Sequence, residues 1–174
     1  MARLHSQNKG KNFERQLCEI LSQHFGEGFK RTPYSGSIFG KTNISRSVGM
    51  SEGVINTLTG DLMTPDGFPF SVECKAYQDL EFHRLLTGNC TKVDSWTTQA
   101  TQDATLSKKE MLVVFKLNNK GIFVCLNYDL IKDFNLDNYI KYKNFAIISL
   151  EKFLEMKNNI NIVKEFIEGR KING

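Results

Sequence analysis

Long apolar runs are absent from this sequence. No stretch approaches the roughly 18 residues that a membrane-spanning helix needs, which excludes a transmembrane protein. The N-terminal stretch MARLHSQNKGKN is basic and has no apolar core, unlike a secretory signal. Cysteine is scarce, and its 4 residues lie far apart at positions that match no zinc-ligand spacing. We therefore expect reduced thiols and a cytoplasmic location.

The charge balance is only mildly basic, with a formal net charge of +4, but the cations are unevenly placed. The first 46 residues hold few glutamates and a larger set of cations, namely Arg3, Lys9, Lys11, Arg15, Lys30, Arg31, Lys41 and Arg46. A basic N-terminal third suits a polyanionic partner such as nucleic acid. A solvated charged surface is the alternative interpretation.

The length of 174 residues predicts a single domain covering 1–174, with a loose arm at 1–8, a loop at 38–53 and a tail at 169–174. Helical and strand periodicities alternate along this domain. They predict helices at 9–25 and 94–106, one or two helices within 151–168, and strands at 54–63, 68–76, 111–117, 121–127 and 145–150. This order indicates an α/β fold in which helices flank one central mixed β-sheet.

The stretch TGDLMTPDGFPFSVECKA, residues 59–76, predicts a β-hairpin with its turn at Pro65-Asp66-Gly67. Side chains alternate between the two faces of a strand, so Glu73 and Lys75 share a face and Cys74 points to the other. A three-residue loop places Asp61 on the face of Glu73 and Lys75, whereas a two- or four-residue loop would place it opposite. We expect the three-residue register.

Two carboxylates and a lysine in an otherwise apolar strand indicate a site that holds a divalent cation against a phosphate. Mg²⁺ prefers oxygen ligands and is commonly held by one or two carboxylates together with water. Asp61 and Glu73 supply that pair, and the carbonyl of Cys74 is a plausible third oxygen. Lys75 lies about 6.6 Å further along the same face, within reach of an attacking water or a phosphate oxygen. The alternative is an exposed edge strand with a cross-face ion pair.

These residues carry a resemblance. Gly60-Asp61 followed by Glu73-Cys74-Lys75 resembles the PD-(D/E)XK nuclease superfamily. The N-terminal segments are similar to the archaeal and phage-type Holliday junction resolvases, through Lys9-Gly10, Phe13-Glu14-Arg15, Leu17, Phe29, Arg31 and Ser35-Gly36-Ser37. The resemblance covers about residues 9 to 76.

The resemblance implies a restriction-endonuclease-like core and a homodimeric, Mg²⁺-dependent endonuclease, in which Mn²⁺ is expected to substitute. It implies that Glu14 joins Asp61 and Glu73 at the metal. It also implies that Gln99 has a supporting role, because many relatives carry a glutamine on the helix after the Glu-X-Lys strand. The resemblance and the small size imply a phage or mobile-element origin, with action in the host cytoplasm if the protein is phage-encoded.

Several residues outside the acidic pair are expected to bind DNA phosphates. Beside the site these are Lys30, Arg31, Ser35 and Ser37, and further away Lys9, Lys11, Lys41 and Arg46. Three functions stay open. The first is an endonuclease for four-way or other branched junctions, and the second is a related nuclease for linear duplex or single strands. The third is a non-catalytic DNA-binding protein on the same fold.

Overall fold

The computed structural model describes residues 2–33 and 49–172. In these ranges the helices are α1 (Ala2–Phe25), α2 (Glu52–Leu58), α3 (Phe82–Leu86), α4 (Thr91–Ser107), α5 (Leu150–Glu155) and α6 (Asn161–Ile172). The strands are β1 (Lys30–Arg31), β2 (Leu62–Met63), β3 (Phe70–Tyr77), β4 (Glu110–Leu117), β5 (Gly121–Asn127), β6 (Ile140–Tyr142) and β7 (Phe145–Ser149). Within these ranges, every helix is too short or too polar to cross a membrane.

Five strands form the central sheet in the order β3-β4-β5-β7-β6. Strands β3 and β4 are parallel, and the remaining neighbours are antiparallel. The sheet is therefore mixed, and the predicted α/β architecture is confirmed. Strand β3, which carries Glu73 and Lys75, lies at an edge of this sheet, so one side of its backbone has no partner within it.

Helices cover both faces of the sheet because its inner strands are apolar on both sides. On one face, Phe13, Leu17 and Leu21 of α1 pack in one cluster with Val72 and Leu112. On the other face, α4 contributes Trp96, Ala100 and Ala104 to a second cluster that includes Val113 and Phe115. Even-numbered side chains of β3 and β4 thus face α1 and odd-numbered ones face α4. Glu73 and Lys75 consequently lie on the α4 face.

The predicted hairpin is wrong, although its turn is present. Residues 52–58 form helix α2, where the N–H of Ile55 donates to the Ser51 carbonyl and the N–H of Thr59 to the Ile55 carbonyl, each over 3.0 Å. The N–H of Phe68 donates to the Pro65 carbonyl over 3.0 Å, which closes the expected turn.

Strand β2 pairs with β1 rather than with β3. The resulting two-stranded sheet is separate from the five-stranded central sheet. The apolar residues of 54–58 are therefore helical, and the strand before the turn is only the two residues Leu62–Met63.

The predictions for the chain ends also need correction. The expected loose arm at 1–8 is helical from Ala2 onward, because α1 begins there rather than near Lys9. The expected tail from residue 169 is helical through Ile172, since α6 extends that far. Most of the predicted loop at 38–53 lies outside the described residues, and its last two residues belong to α2. The single-domain division itself stays a prediction.

Candidate active site

Asp61 is fastened to the free edge of β3 by its backbone and its side chain. The N–H of Asp61 donates to the Val72 carbonyl over 2.8 Å. The N–H of Cys74 in turn donates to Oδ2 of Asp61 over 2.8 Å. Asp61 therefore hydrogen-bonds to the edge of β3 as a residue of a neighbouring strand would, and its carboxylate lies next to the Glu-X-Lys segment.

Gly60 makes this approach possible. Its φ is +73°, in the left-handed region that favours glycine, and a Cβ there would lie 2.7 Å from the Val72 carbonyl oxygen. A side chain at position 60 would therefore push the chain away from β3 and take Asp61 with it. Gly60 stands where the motif PD-(D/E)XK has its proline, and the close approach to the Val72 carbonyl leaves no room for a side chain there.

Glu73 and Lys75 form a buried ion pair on the α4 face of the sheet. Nζ of Lys75 lies 2.5 Å from Oε1 of Glu73, and the side chains are only 17% and 4% exposed. The same Nζ donates to Oε1 of Gln99 on α4 over 3.2 Å. Glu73 and Lys75 were expected to share a face of the strand. A glutamine from a following helix was also expected near them, and Gln99 of α4 contacts Lys75.

The site carries an excess of negative charge that one lysine does not offset. Burial, reinforced by the nearby charge of Asp61, raises the pKa of Glu73 to about 8 despite the opposing effect of Lys75. For Lys75, burial alone would lower the pKa, but the charges of Glu73 and Asp61 outweigh it and the pKa is raised. The two pKa shifts share one electrostatic cause, the negative charge of Asp61, which acts on both side chains in addition to their burial.

Asp103 is a further acidic residue of this site that the sequence analysis did not select. It lies on α4 one helical turn beyond Gln99, on the same side of the helix. Burial, followed by repulsion from Asp61, raises its pKa to about 6, while Lys75 acts in the opposite direction. The spacing of four residues from Gln99 is the signal that could have found it.

Glu14 approaches from the other side of the sheet. It lies on α1, and its Oε2 accepts from Nε of Arg31 on β1 in a partly buried ion pair. Burial raises the pKa of Glu14, and the charge of Asp61 raises it further, while Arg31 opposes both effects. Glu14 is thus electrostatically linked to Asp61, and Arg31 is engaged with a carboxylate rather than free for a phosphate.

The described residues do not include any group of three or more His, Cys, Asp or Glu side chains arranged to hold a metal ion. The two carboxylates of Asp61 and Glu73 nevertheless fit a hard cation such as Mg²⁺, which takes one or two carboxylates and completes its shell with water and substrate oxygens. Asp61 is close enough to Glu73 for its charge to add to the rise in the pKa of Glu73 that burial causes, so the two carboxylates adjoin.

The Cys74 carbonyl is placed to add a third oxygen. The N–H and C=O of one strand residue point to the same side, and the N–H of Cys74 points off the free edge towards Asp61. Its carbonyl therefore lies on the Asp61 side as well. The thiol of Cys74 belongs to the α1 face, where it packs against the core.

The predicted DNA-binding residues divide into three groups. Lys9, Lys11 and Lys30 are exposed on α1 and β1. Arg31 is held by Glu14. The remaining four, Ser35, Ser37, Lys41 and Arg46, lie outside the described residues.

An edge strand with Glu-X-Lys, an aspartate fastened beside it and helices on both sheet faces define the PD-(D/E)XK nuclease class. A family model described as "Phage putative PDDEXK endonuclease" matches residues 5–169, and the chain belongs to this family. A comparison with curated proteins finds no match.

One solved structure similar to this chain is that of Archaeoglobus fulgidus Hjc, described as a Holliday junction resolvase from an archaeal hyperthermophile. The identity is 14%, the TM-score is 0.37, and the alignment covers 80% of this chain and 86% of that one.

Proposed function

We propose that this protein is a Mg²⁺-dependent endodeoxyribonuclease that hydrolyses phosphodiester bonds in branched DNA, as a Holliday junction resolvase does. The observation that carries the proposal is the meeting of Asp61, Glu73 and Lys75 at the free edge of β3. A buried acid pair with one lysine is costly to maintain. The cost is understandable where the charges hold a cation and act on a phosphate.

Asp61 and Glu73 would hold the metal ion, with the Cys74 carbonyl as a third oxygen. When bound, Mg²⁺ polarises a phosphoryl oxygen and lowers the pKa of water in its shell. Mn²⁺, which also accepts carboxylate and water oxygens, would substitute. Glu14 would add negative charge from the α1 side, moderated by its ion pair with Arg31.

Lys75 supplies a positive charge next to the acidic pair. Its Nζ lies between Oε1 of Glu73 and Oε1 of Gln99, so its position is determined by two acceptors from different elements. From this position the Lys75 ammonium would orient an attacking water and stabilise the charge that develops on the phosphate. Gln99 would keep Lys75 in place where Glu73 helps to hold the metal ion.

The preference for branched DNA is supported by the N-terminal segments. The Glu14-Arg15 and Arg31 elements of the resolvase-like pattern meet in space, since Glu14 pairs with Arg31 next to Asp61. A resolvase must cut two strands symmetrically, and a two-fold dimer presents two equivalent sites for this purpose. We infer a homodimer that acts on DNA in the cytoplasm of a phage-infected host.

Cleavage of a synthetic four-way junction, compared with a flap and a linear duplex of matching sequence, tests the substrate. In Mg²⁺, preferential cutting of the junction is the expected result. If the linear duplex is cut at the same rate as the junction, the protein is a less selective nuclease and not a resolvase. Salt-sensitive DNA binding with no cutting in Mg²⁺ or Mn²⁺ would indicate a non-catalytic DNA-binding protein instead.

A further inference from the structure

A groove with a volume of about 730 Å³ opens next to the candidate active site. It lies between the N-terminal half of α1 and the C-terminal ends of β3 and β4. Cys74 and Lys75 line it, so the groove is continuous with the site. On the α1 side its wall includes Lys9, Asn12 and Gln16.

The lining of this groove is suited to an anion. Its charged residues, as far as the described part of the chain defines it, are Lys9, Lys116 and Lys75, of which Lys75 is already paired with Glu73. No aspartate or glutamate contributes to its wall. Asn12, Gln16, Gln78 and Asn118 add side-chain amides, which can donate hydrogen bonds to phosphate oxygens. Lysines with no carboxylate beside them in the groove wall give it a positive potential, which attracts a polyanion.

Lys116 is the least expected member of this lining. It lies in β4 opposite Ala76, directly after the apolar run of residues 111–115, and its Nζ donates to Oε1 of Gln16 over 2.9 Å. Among the described residues no carboxylate lies within ion-pair distance of Lys116 or Lys9. A lysine whose contact is a neutral amide can still pair with an external anion.

We propose that this groove binds the phosphodiester backbone of the substrate strand next to the phosphate that is cut, with Lys9 and Lys116 each contacting a phosphate. The inference rests on the proposed nuclease function, since the groove leads out of that site. It assigns to Lys116 and Gln16 a role in substrate binding. Lys75 both lines the groove and pairs with Glu73, so the groove borders the acidic pair and one DNA strand can contact both.

Binding without cutting tests the proposal directly. A fluorescein-labelled DNA duplex and the matching single strand are titrated with protein in EDTA over a series of salt concentrations, using fluorescence anisotropy. Each lost phosphate contact reduces the slope of log affinity against log salt by about 0.9 for duplex and about 0.7 for a single strand. Lys9→Gln and Lys116→Gln are each expected to show this reduction.

The matched control is Lys132→Gln, because Lys132 is an exposed lysine beyond the opposite end of β5, paired with Asp129. Its slope should equal that of the wild type. Gln16→Glu is a second groove variant on the exposed side of α1, and it should weaken binding because it places a carboxylate beside Lys116. Thermal melts of each variant verify folding.

The outcomes separate this proposal from the nuclease function. If the salt slopes and DNA affinities of Lys9→Gln, Lys116→Gln and Gln16→Glu equal those of the wild type, the groove does not bind the DNA backbone. This conclusion would hold even if the wild type cuts DNA in Mg²⁺. Reduced slopes in a protein that never cuts DNA would support the groove and overturn the proposed nuclease function.

Discussion

The backbone N–H of Cys74 donates to Oδ2 of Asp61 over 2.8 Å, across the free edge of strand β3. The two residues are 13 positions apart, and no β-ladder joins their segments. The contact depends on the second bond, from the N–H of Asp61 to the Val72 carbonyl, and on the absence of a side chain at Gly60. The position of the Asp61 carboxylate is thus determined by backbone geometry rather than by an extended hairpin.

Gly60→Ala is expected to destabilise the protein more than Gly88→Ala. Both glycines have a φ of +73°, but a Cβ at Gly88 meets open space and one at Gly60 meets the Val72 carbonyl oxygen at 2.7 Å. The left-handed conformation costs each variant about 1–2 kcal/mol, and the steric clash adds about 1–3 kcal/mol at Gly60 alone. Urea denaturation of both variants measures the difference. Equal losses would mean that the approach of residue 60 to β3 is not tight.

Gln99→Ala is expected to lower kcat about tenfold while DNA affinity is retained. The variant removes the hydrogen bond that Gln99 accepts from Nζ of Lys75, and a bond to a charged group contributes about 1.5–3 kcal/mol. Gln102→Ala, an exposed glutamine on the same helix, is the control and should keep full activity. A loss of DNA affinity with unchanged kcat would instead assign Gln99 to substrate binding.

Asp103→Asn is expected to stabilise the metal-free protein above about pH 6 and to have little effect near pH 4. The folded chain raises the pKa of Asp103 from its usual 3.8 to about 6, so the folded state binds more protons than the unfolded state between these values. Stability therefore falls as the pH rises through this interval. After solvent screening, the gain at neutral pH should be about 1 kcal/mol, or about 2–4 °C in Tm.

Thermal melts of wild type and Asp103→Asn across this pH range measure the effect. A stabilisation that is the same at pH 4 and pH 7 would show that the electrostatic explanation is wrong. A destabilised variant at neutral pH would show that Asp103 makes a favourable contact with Lys75 that outweighs its repulsion from Asp61.

The apolar elements could be predicted because their patterns are unambiguous. The runs MLVVFKL, GIFVCLN and FAIISL are β4, β5 and β7 within about one residue at each end. The alternation in FSVECKAY put Glu73 and Lys75 on one face correctly, since a strand has only two sides.

The error at 54–63 has a physical cause. The segment EGVINTL is short, and its apolar residues fit either period, so the turn at Pro65 decided in favour of a hairpin. A turn does not require paired strands on both sides, and here the chain enters it after only two strand residues that pair with β1. Whether β2 pairs with β1 or with β3 depends on packing between distant segments, and the local sequence pattern carries no information about it.

Two polar residues were overlooked for a common reason. Asp103 lies in a helix and Lys116 in a strand that were predicted from periodicity alone, and that pattern assigns no role to a charged residue. The reasoning that selected Glu73, a charge in an otherwise buried strand, applies equally to Lys116 in β4. The partners Asp61 and Gln16 come from distant segments, so only the fold identifies them.

The most direct test of the central claim compares cleavage of labelled junction DNA by wild type, Glu73→Gln and Lys75→Ala in Mg²⁺. The exposed pair of Glu81 and Arg84, 2.8 Å apart, supplies the controls Glu81→Gln and Arg84→Ala. We expect both site variants to lose about 10²–10⁴-fold in cleavage rate while still binding the junction, and both controls to cut as the wild type does. Wild-type cleavage by either Glu73→Gln or Lys75→Ala would contradict the account.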